Sequence, residues 1–168
     1  TILNDYNQIQ DNLSAARIGV ITQDADVQPV MNGRGDFLPA TVRQAIEFLN
    51  GKSKKGFFLM AEGAQIDWGC HNNDVKYTVT EVIDFDKAVS EALKFADQDG
   101  QTLVIITADH ETGGMTIPNG DYDQNKVRAL YTVGGHTGVM VPLYAYGPHS
   151  QDFQGVQENI DAVSYTHL

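Results

Sequence analysis

Three short apolar runs constrain the fold of this chain more than any other feature: residues 56–61 (GFFLMA), 102–107 (TLVIIT) and 139–146 (VMVPLYAY). Each is continuous, brief and bounded by polar residues, and reads as a buried strand. The third is the weakest of them, because Pro142 cannot donate to a ladder and belongs at an edge or a bulge. Residues 17–22 (RIGVIT) read as a further buried strand. Helical patterns lie between the runs. Val42, Ala45, Ile46 and Leu49 recur at helical spacing after Pro39, and Gly51 closes them. Phe85, Ala88, Val89, Ala92, Leu93 and Ala96 form one apolar face that stops at Gly100. Residues 5–16 read as a weak helix, 23–37 as a loop and 52–55 as a charged turn. Residues 164–168 fit no element and read as frayed or foreign to the protein. Buried strands alternating with helices predict an α/β fold with a parallel sheet, whose ligands bind beyond the carboxyl ends of the strands.

Length and composition narrow the function. A chain of 168 residues suits one domain or part of a larger one. Hydrophobic residues at 42% and charged residues at 20% argue against wholesale disorder. The formal net charge of −11 excludes the basic face that a nucleic-acid binder needs. It does not exclude an anionic substrate, since bound cations dominate the field of a site that holds them. No apolar run is long enough to span a bilayer, so no transmembrane segment is expected. Cys70 is the only cysteine, which rules out an internal disulfide. The chain starts at Thr1 with no leader in front of it, as a mature, trimmed or partial chain would.

Polar clusters follow the apolar runs. After residues 56–61 comes EGAQIDWGCH, with Glu62 at the end of the expected strand and Asp67 and His71 four apart. One helical turn puts those two side chains on one face, where a carboxylate oxygen and an imidazole nitrogen form a reasonable pair of zinc donors. That spacing alone more often marks a surface pair. After residues 102–107 comes ADHETGG. Asp109 and His110 are adjacent, so a shared metal needs an irregular turn, which Gly113 and Gly114 permit; an Asp capping the next turn is the plainer alternative. The third cluster, GGHTG, places His136 among glycines where backbone can approach something closely, although alone it reads as a turn. Together the clusters put three of the five histidines at expected strand ends. His149 and His167 receive no role. Both donor types suit zinc, and the oxygen donor Glu62 also suits magnesium.

In these blocks the chain resembles the alkaline phosphatases. FFLMAEGAQIDWGCHNND resembles the family's Glu-Gly-x-x-Ile-Asp-x-x-x-His block, TLVIITADHETGG its Thr-Ala-Asp-His block and GGHTGVMVPLYAYGP its Gly-x-His-Thr block. The likeness runs from about Arg17 to Asn159, in the family's order. It implies that residues 1–168 are the C-terminal portion of one domain, part of a three-layer α/β/α sandwich with a mostly parallel central sheet. It implies Asp67, His71 and His136 around a first zinc, Asp109 and His110 around a second, and Glu62 on a magnesium. Two zinc ions and one magnesium bring more positive charge than Glu62, Asp67 and Asp109 bring negative, so a phosphate dianion fits. The implied activity is hydrolysis of small phosphate monoesters, periplasmic or extracellular, with a homodimer as a candidate assembly of the full-length protein. The family's nucleophile, bridging aspartate and clamping arginine have no match here. The serines at 14, 53, 90, 150 and 164 lack the nucleophile's context, so no catalytic residue is assigned and the chain alone is expected to be inactive. Alternatives are a metal-dependent phosphoglycerate mutase or phosphodiesterase of the same superfamily, and a metal-binding module without catalysis.

Weaker motifs have plainer meanings. Arg34-Gly35-Asp36 matches an adhesion tripeptide by chance, the DQDG stretch at 97–100 reads as a helix stop, and Asn12-Leu13-Ser14 is a formal glycosylation acceptor. Asp121 and Asp123 around Tyr122 read as a solvated loop.

Overall fold

The computed structural model describes residues 1–22 and 26–161, so the expectation for residues 164–168 and the first three residues of the 23–37 loop lie outside the described residues. The chain divides into two compact units: Thr1–Gly69 with Asp74–Ala92, and Cys70–Asn73 with Leu93–Leu168.

The first unit opens with strand β1 (Ile2–Leu3), a 3₁₀ helix at Tyr6–Asn12 and strand β2 (Gly19–Val20), which pairs in parallel with β1. Of residues 5–16, where a weak helix was expected, Tyr6–Asn12 form a 3₁₀ helix and 13–16 a turn. Helix α1 (Phe37–Asn50) starts two residues before Pro39 and ends at Gly51, in line with the apolar spacing. Its buried face carries Val42 and Ile46, with Leu3, Ile9 and Ala88 also in the core of this unit. The Tyr6 ring packs edge-on against Phe37 with centroids 5.1 Å apart.

Residues 56–61 are not a strand. They take part in none of the strand pairings found among the described residues, and Phe58 and Met60 are 74% and 76% exposed. A strand is completed by its neighbour's hydrogen bonds, and an apolar run without one stays an extended loop. Helix α2 (Gln65–His71) follows, then helix α3 (Val75–Asp99), and two of the three boundaries between the units fall within these helices, the third between them. α3 begins ten residues before the apolar face that announced it. Its first turns bury Thr78, Glu81 and Asp84 instead of apolar side chains, and this polar stripe hides the helix from a hydrophobic pattern. Arg34 answers the two acids, with Nη2 2.6 Å from Glu81 and 2.8 Å from Asp84. The side chains are at most 7% exposed, so the arginine of the adhesion-like tripeptide is committed inside the unit. α3 stops at Gly100, where φ is +67°.

The second unit contains strand β3 (Val104–Ile106), the core of the 102–107 run, and the two-residue strand β4 (Glu111–Thr112). A hairpin follows, β5 (Thr116–Asp121) against β6 (Lys126–Leu130), with Tyr122 at its exposed tip and Asp121 accepting the Gln124 N–H at 2.9 Å. Its register slips between Thr116 and Asn119, where Pro118 has no N–H to give. Strand β7 (His136–Thr137) pairs antiparallel with β4, and β8 (Tyr144–Tyr146) antiparallel with β3. The 139–146 run is therefore strand only in its last three residues. The Pro142 carbonyl instead accepts the Thr107 hydroxyl at 3.2 Å. Among the described residues the one parallel pairing is β1 with β2. Ala96, Phe153, Cys70 and Thr112 are buried in the second unit.

No helix among the described residues is long and apolar enough to cross a membrane.

Candidate metal centre

Each histidine of the centre is presented by a different kind of local structure. His71 is the last residue of α2, one turn after Asp67 on the same face, and along this helix their donor atoms come within 4.8 Å. The helix is stopped by Asn73, in the left-handed region at φ +51°, and Asp74 caps α3 by accepting the Tyr77 N–H at 3.0 Å. Gly69 lets α2 lie backbone-close to the start of α3: a Cβ there would stand 2.8 Å from the Thr78 nitrogen.

His110 follows the bend at Asp109 beyond β3, the irregular turn that adjacent ligands need. Its Nε2 lies 3.2 Å from the Asp109 carboxylate and its Nδ1 3.2 Å from the Thr112 hydroxyl. The Asn159 amide donates to the Asp109 carbonyl at 2.7 Å. His136 opens β7, and its register partner is Thr112. The two-residue ladder brings the His110 and His136 rings into a stack with centroids 3.6 Å apart and planes 22° from parallel. The Nε2 atoms of His136 and His71 lie 3.2 Å apart.

Glycines hold these parts together at two positions. Gly113 and Gly114 have φ of +86° and +58°. A Cβ on Gly113 would stand 2.7 Å from the Tyr131 ring and 3.0 Å from the Cys70 carbonyl, so the turn after His110 presses on the end of α2. Gly113 also bonds both ways, its N–H to the Gly135 carbonyl and its carbonyl to the Thr132 N–H, each at 2.9 Å. The close approach expected around His136 is not at its own glycines: among the described residues nothing lies within 4 Å of a Cβ at Gly135 or Gly138.

The donor set fits a metal. The His71 Nδ1 lies 2.8 Å from the Gly134 carbonyl, which can only accept, so Nδ1 carries the ring proton. The Nε2 lone pair then faces His136. A ligating imidazole is ordinarily braced in this way, by its second nitrogen on a carbonyl. Zinc–nitrogen bonds of about 2.0–2.1 Å in a tetrahedron set two imidazole nitrogens roughly 3.4 Å apart, close to the separation found. Within the second unit His71, Asp109, His110 and His136 therefore stand together, and α2 carries Asp67 beside His71. Glu62 lies in the first unit, in the loop before α2. There it lines a cavity of about 290 Å³ with Arg34, Gln65, Trp68 and Glu81.

Comparison with known proteins gives the family. The alkaline phosphatase family model matches residues 19–130. The chain belongs to the alkaline phosphatase family. Alkaline phosphatase 4 of Bacillus subtilis (strain 168) is 34% identical to it, over 70% of this chain and 40% of the relative. The alkaline phosphatase of Escherichia coli (strain K12) is 35% identical, over 76% of this chain and 31% of the relative. The structure of the alkaline phosphatase from the Antarctic bacterium TAB5 superposes with a TM-score of 0.87 at 40% identity, covering 95% of this chain and 48% of that one. A variant of that enzyme was solved with Mg bound in its M3 site. The fold is thus alkaline phosphatase-like α/β, and the chain spans less than half the length of these relatives.

Sequence reasoning assigned no role to Glu111. Its carboxylate accepts the Gly114 N–H at 3.0 Å, the Met115 N–H at 3.4 Å and the Thr137 hydroxyl. Its place beside Asp109 and His110 hinted at a ligand motif, but nothing in the sequence pairs it with Thr137.

Proposed function

We propose that this chain supplies most metal ligands of an alkaline phosphatase, a hydrolase of small phosphate monoesters. Asp67, His71 and His136 would hold a first zinc, Asp109 and His110 a second, and Glu62 a magnesium. The observation that carries this reading is the pair of Nε2 atoms on His71 and His136, 3.2 Å apart, with the His71 proton fixed on Nδ1 by Gly134. Family membership and the Mg-bound structure of a relative support it.

When bound, the metals supply the positive charge that draws a phosphate dianion into an acidic protein and favours an ionised oxygen nucleophile. The chain's own residues prepare that site. Gly134 keeps the His71 Nε2 lone pair open to a metal, and the Thr112 hydroxyl orients the His110 ring. Asp67 and Asp109 add hard oxygen donors to the imidazoles, a mixture that suits zinc, whereas the lone carboxylate of Glu62 suits magnesium. Such a site recognises the phosphoryl oxygens and leaves the alcohol little contacted, so broad monoester substrates follow. The nucleophile, the bridging aspartate and the clamping arginine would come from family segments outside these residues. In the whole protein the short ladders would join a three-layer α/β/α sandwich with a mostly parallel sheet, a reading supported by the superposition on the TAB5 enzyme. A periplasmic or extracellular site of action and a homodimer belong to the same proposal.

The test uses the full-length protein. It should release phosphate from an aryl phosphate monoester, lose that activity to a chelator and regain it with zinc and magnesium. Elemental analysis should give about two zincs and one magnesium per site. Fewer than one zinc after careful loading would reject the reading. Interconversion of phosphoglycerates without release of inorganic phosphate would give the case to the mutase alternative.

A further inference from the structure

We infer that Glu111 is a positioning residue of the metal centre: its carboxylate ties the strand that carries His136 to the turn that follows His110, and so fixes how the two imidazoles stand. The inference rests on the zinc-site reading above.

The β4–β7 ladder holds only two residue pairs, Glu111 with Thr137 and Thr112 with His136. Two pairs are too few to lock a register by backbone bonds alone. Directly opposed residues share a face of the ladder, so Glu111 faces Thr137 while Thr112 faces His136. Glu111 uses that place fully. One oxygen lies 3.0 Å from the Gly114 nitrogen and 3.4 Å from the Met115 nitrogen; the other lies 3.2 Å from the Gly114 nitrogen and accepts the Thr137 hydroxyl. The positive φ values of Gly113 and Gly114 turn the two consecutive N–H groups inward, a small anion nest that the carboxylate fills. Both oxygens are thereby committed to hydrogen bonds, which sets Glu111 apart from the ligands themselves. The residue after His110 is bonded to the residue after His136, and the two rings stack at 3.6 Å. Groups bonded directly to a metal ligand typically govern affinity by ten- to a hundredfold, and Glu111, one bond further out, falls at the lower end.

The experiment uses the full-length protein and reads zinc affinity by competition with a chromophoric chelator, together with the visible spectrum of the cobalt(II)-substituted form. E111A should weaken zinc by about tenfold or more and alter the cobalt spectrum. E111Q should stay within about threefold of wild type, because its amide oxygen still accepts from Gly114 and Met115 and its N–H can donate to the Thr137 hydroxyl, a rescue by hydrogen bonding. T137V removes a single bond and should weaken zinc by a few-fold; with E111Q it decides the matter if E111A does not fold. Zinc affinity and cobalt spectrum unchanged in E111A and T137V, with only a lower melting temperature of the metal-free protein, would reduce Glu111 to a structural prop and overturn the inference. An E111Q as weak as E111A would overturn it too. A wild type that takes up no zinc would overturn the zinc-site reading and this inference together, whereas a zinc-loaded wild type beside an equally loaded E111A overturns this inference alone.

Discussion

The ring of His71 shows how much a single hydrogen bond decides in this centre. A neutral imidazole has one donor and one acceptor nitrogen, and the Gly134 carbonyl claims the donor at 2.8 Å. In the proposed centre His71 and His136 would act as a pair beside Asp67, and removing one would leave the first zinc with too few ligands. In the full-length protein H136A should lose one zinc on dialysis and keep the second, with activity falling by about a hundredfold or more and recovering in part with excess zinc. Atomic absorption on the dialysed protein checks this, and two zincs retained would refute it. The glycines make a second prediction. G113A must fit a Cβ at φ +86° against Tyr131 and Cys70, which should cost roughly 2–3 kcal/mol. G135A meets open space and should stay within about 0.5 kcal/mol. Denaturant midpoints of the two variants separate them, and equal midpoints would count against the close packing after His110. At this scale the nearness of Asp67, His71 and His136 was legible from residue type, spacing and the family resemblance. Glu111 was not, because its role depends on a register between residues 26 positions apart.

Among the elements, α1 announced itself by its period and α3 only by its second half. The reason is the Arg34–Glu81–Asp84 network, which replaces an apolar stripe with a buried ionic one. A buried charge stripped of its partner is costly, so R34A should destabilise the protein by about 3–5 kcal/mol, far beyond what an exposed arginine would cost. A loss below 1 kcal/mol in a denaturant titration would contradict the burial of the network. The same helix carries a pH response. Burial raises the Tyr77 pKa above its ordinary value, the nearby Glu81 charge raises it further, and Arg34 pulls the other way. A raised folded-state pKa stabilises below the unfolded-state pKa, about 10 for tyrosine, and that contribution is lost as pH climbs through the folded value. Stability of the protein should therefore decline above about pH 10. Y77F should flatten that decline, while costing about 1 kcal/mol at neutral pH through its lost bond to Gln65. Unfolding midpoints from pH 8 to 11.5 for both proteins check this, and parallel curves would refute it. The strands were harder to read than the helices. A helix closes its own hydrogen bonds, whereas a strand over residues 56–61 would need a ladder, and they join none of those among the described residues. The strands β4 and β7 are two residues each, too short to leave any pattern.

For the whole molecule, the comparison of lengths carries a consequence that the site alone does not. The chain spans 31–48% of the three relatives compared above, yet it holds most of the donors that the family reading assigns to the zincs. Ligands without a nucleophile can bind phosphate but cannot pass it on. Apolar side chains such as Phe58, Met60, Val139 and Met140 lie exposed in extended segments, where adjoining strands of the complete sheet would cover them. Produced alone, the 168-residue chain should therefore bind a dye that reports apolar surface, self-associate in a concentration-dependent way, and hydrolyse an aryl phosphate no faster than buffer, with or without added zinc. Joined to the remainder of its own full-length sequence it should lose the dye signal, unfold in one sharp transition and gain chelator-sensitive turnover. The two halves of this prediction separate two causes. Dye binding that disappears in the full-length protein while activity stays absent would leave the fold reading intact and remove the phosphatase reading. Chelator-sensitive turnover by the isolated chain would mean that a nucleophile lies among these 168 residues after all, with the serines at 14, 53, 90 and 150 the first to replace by alanine.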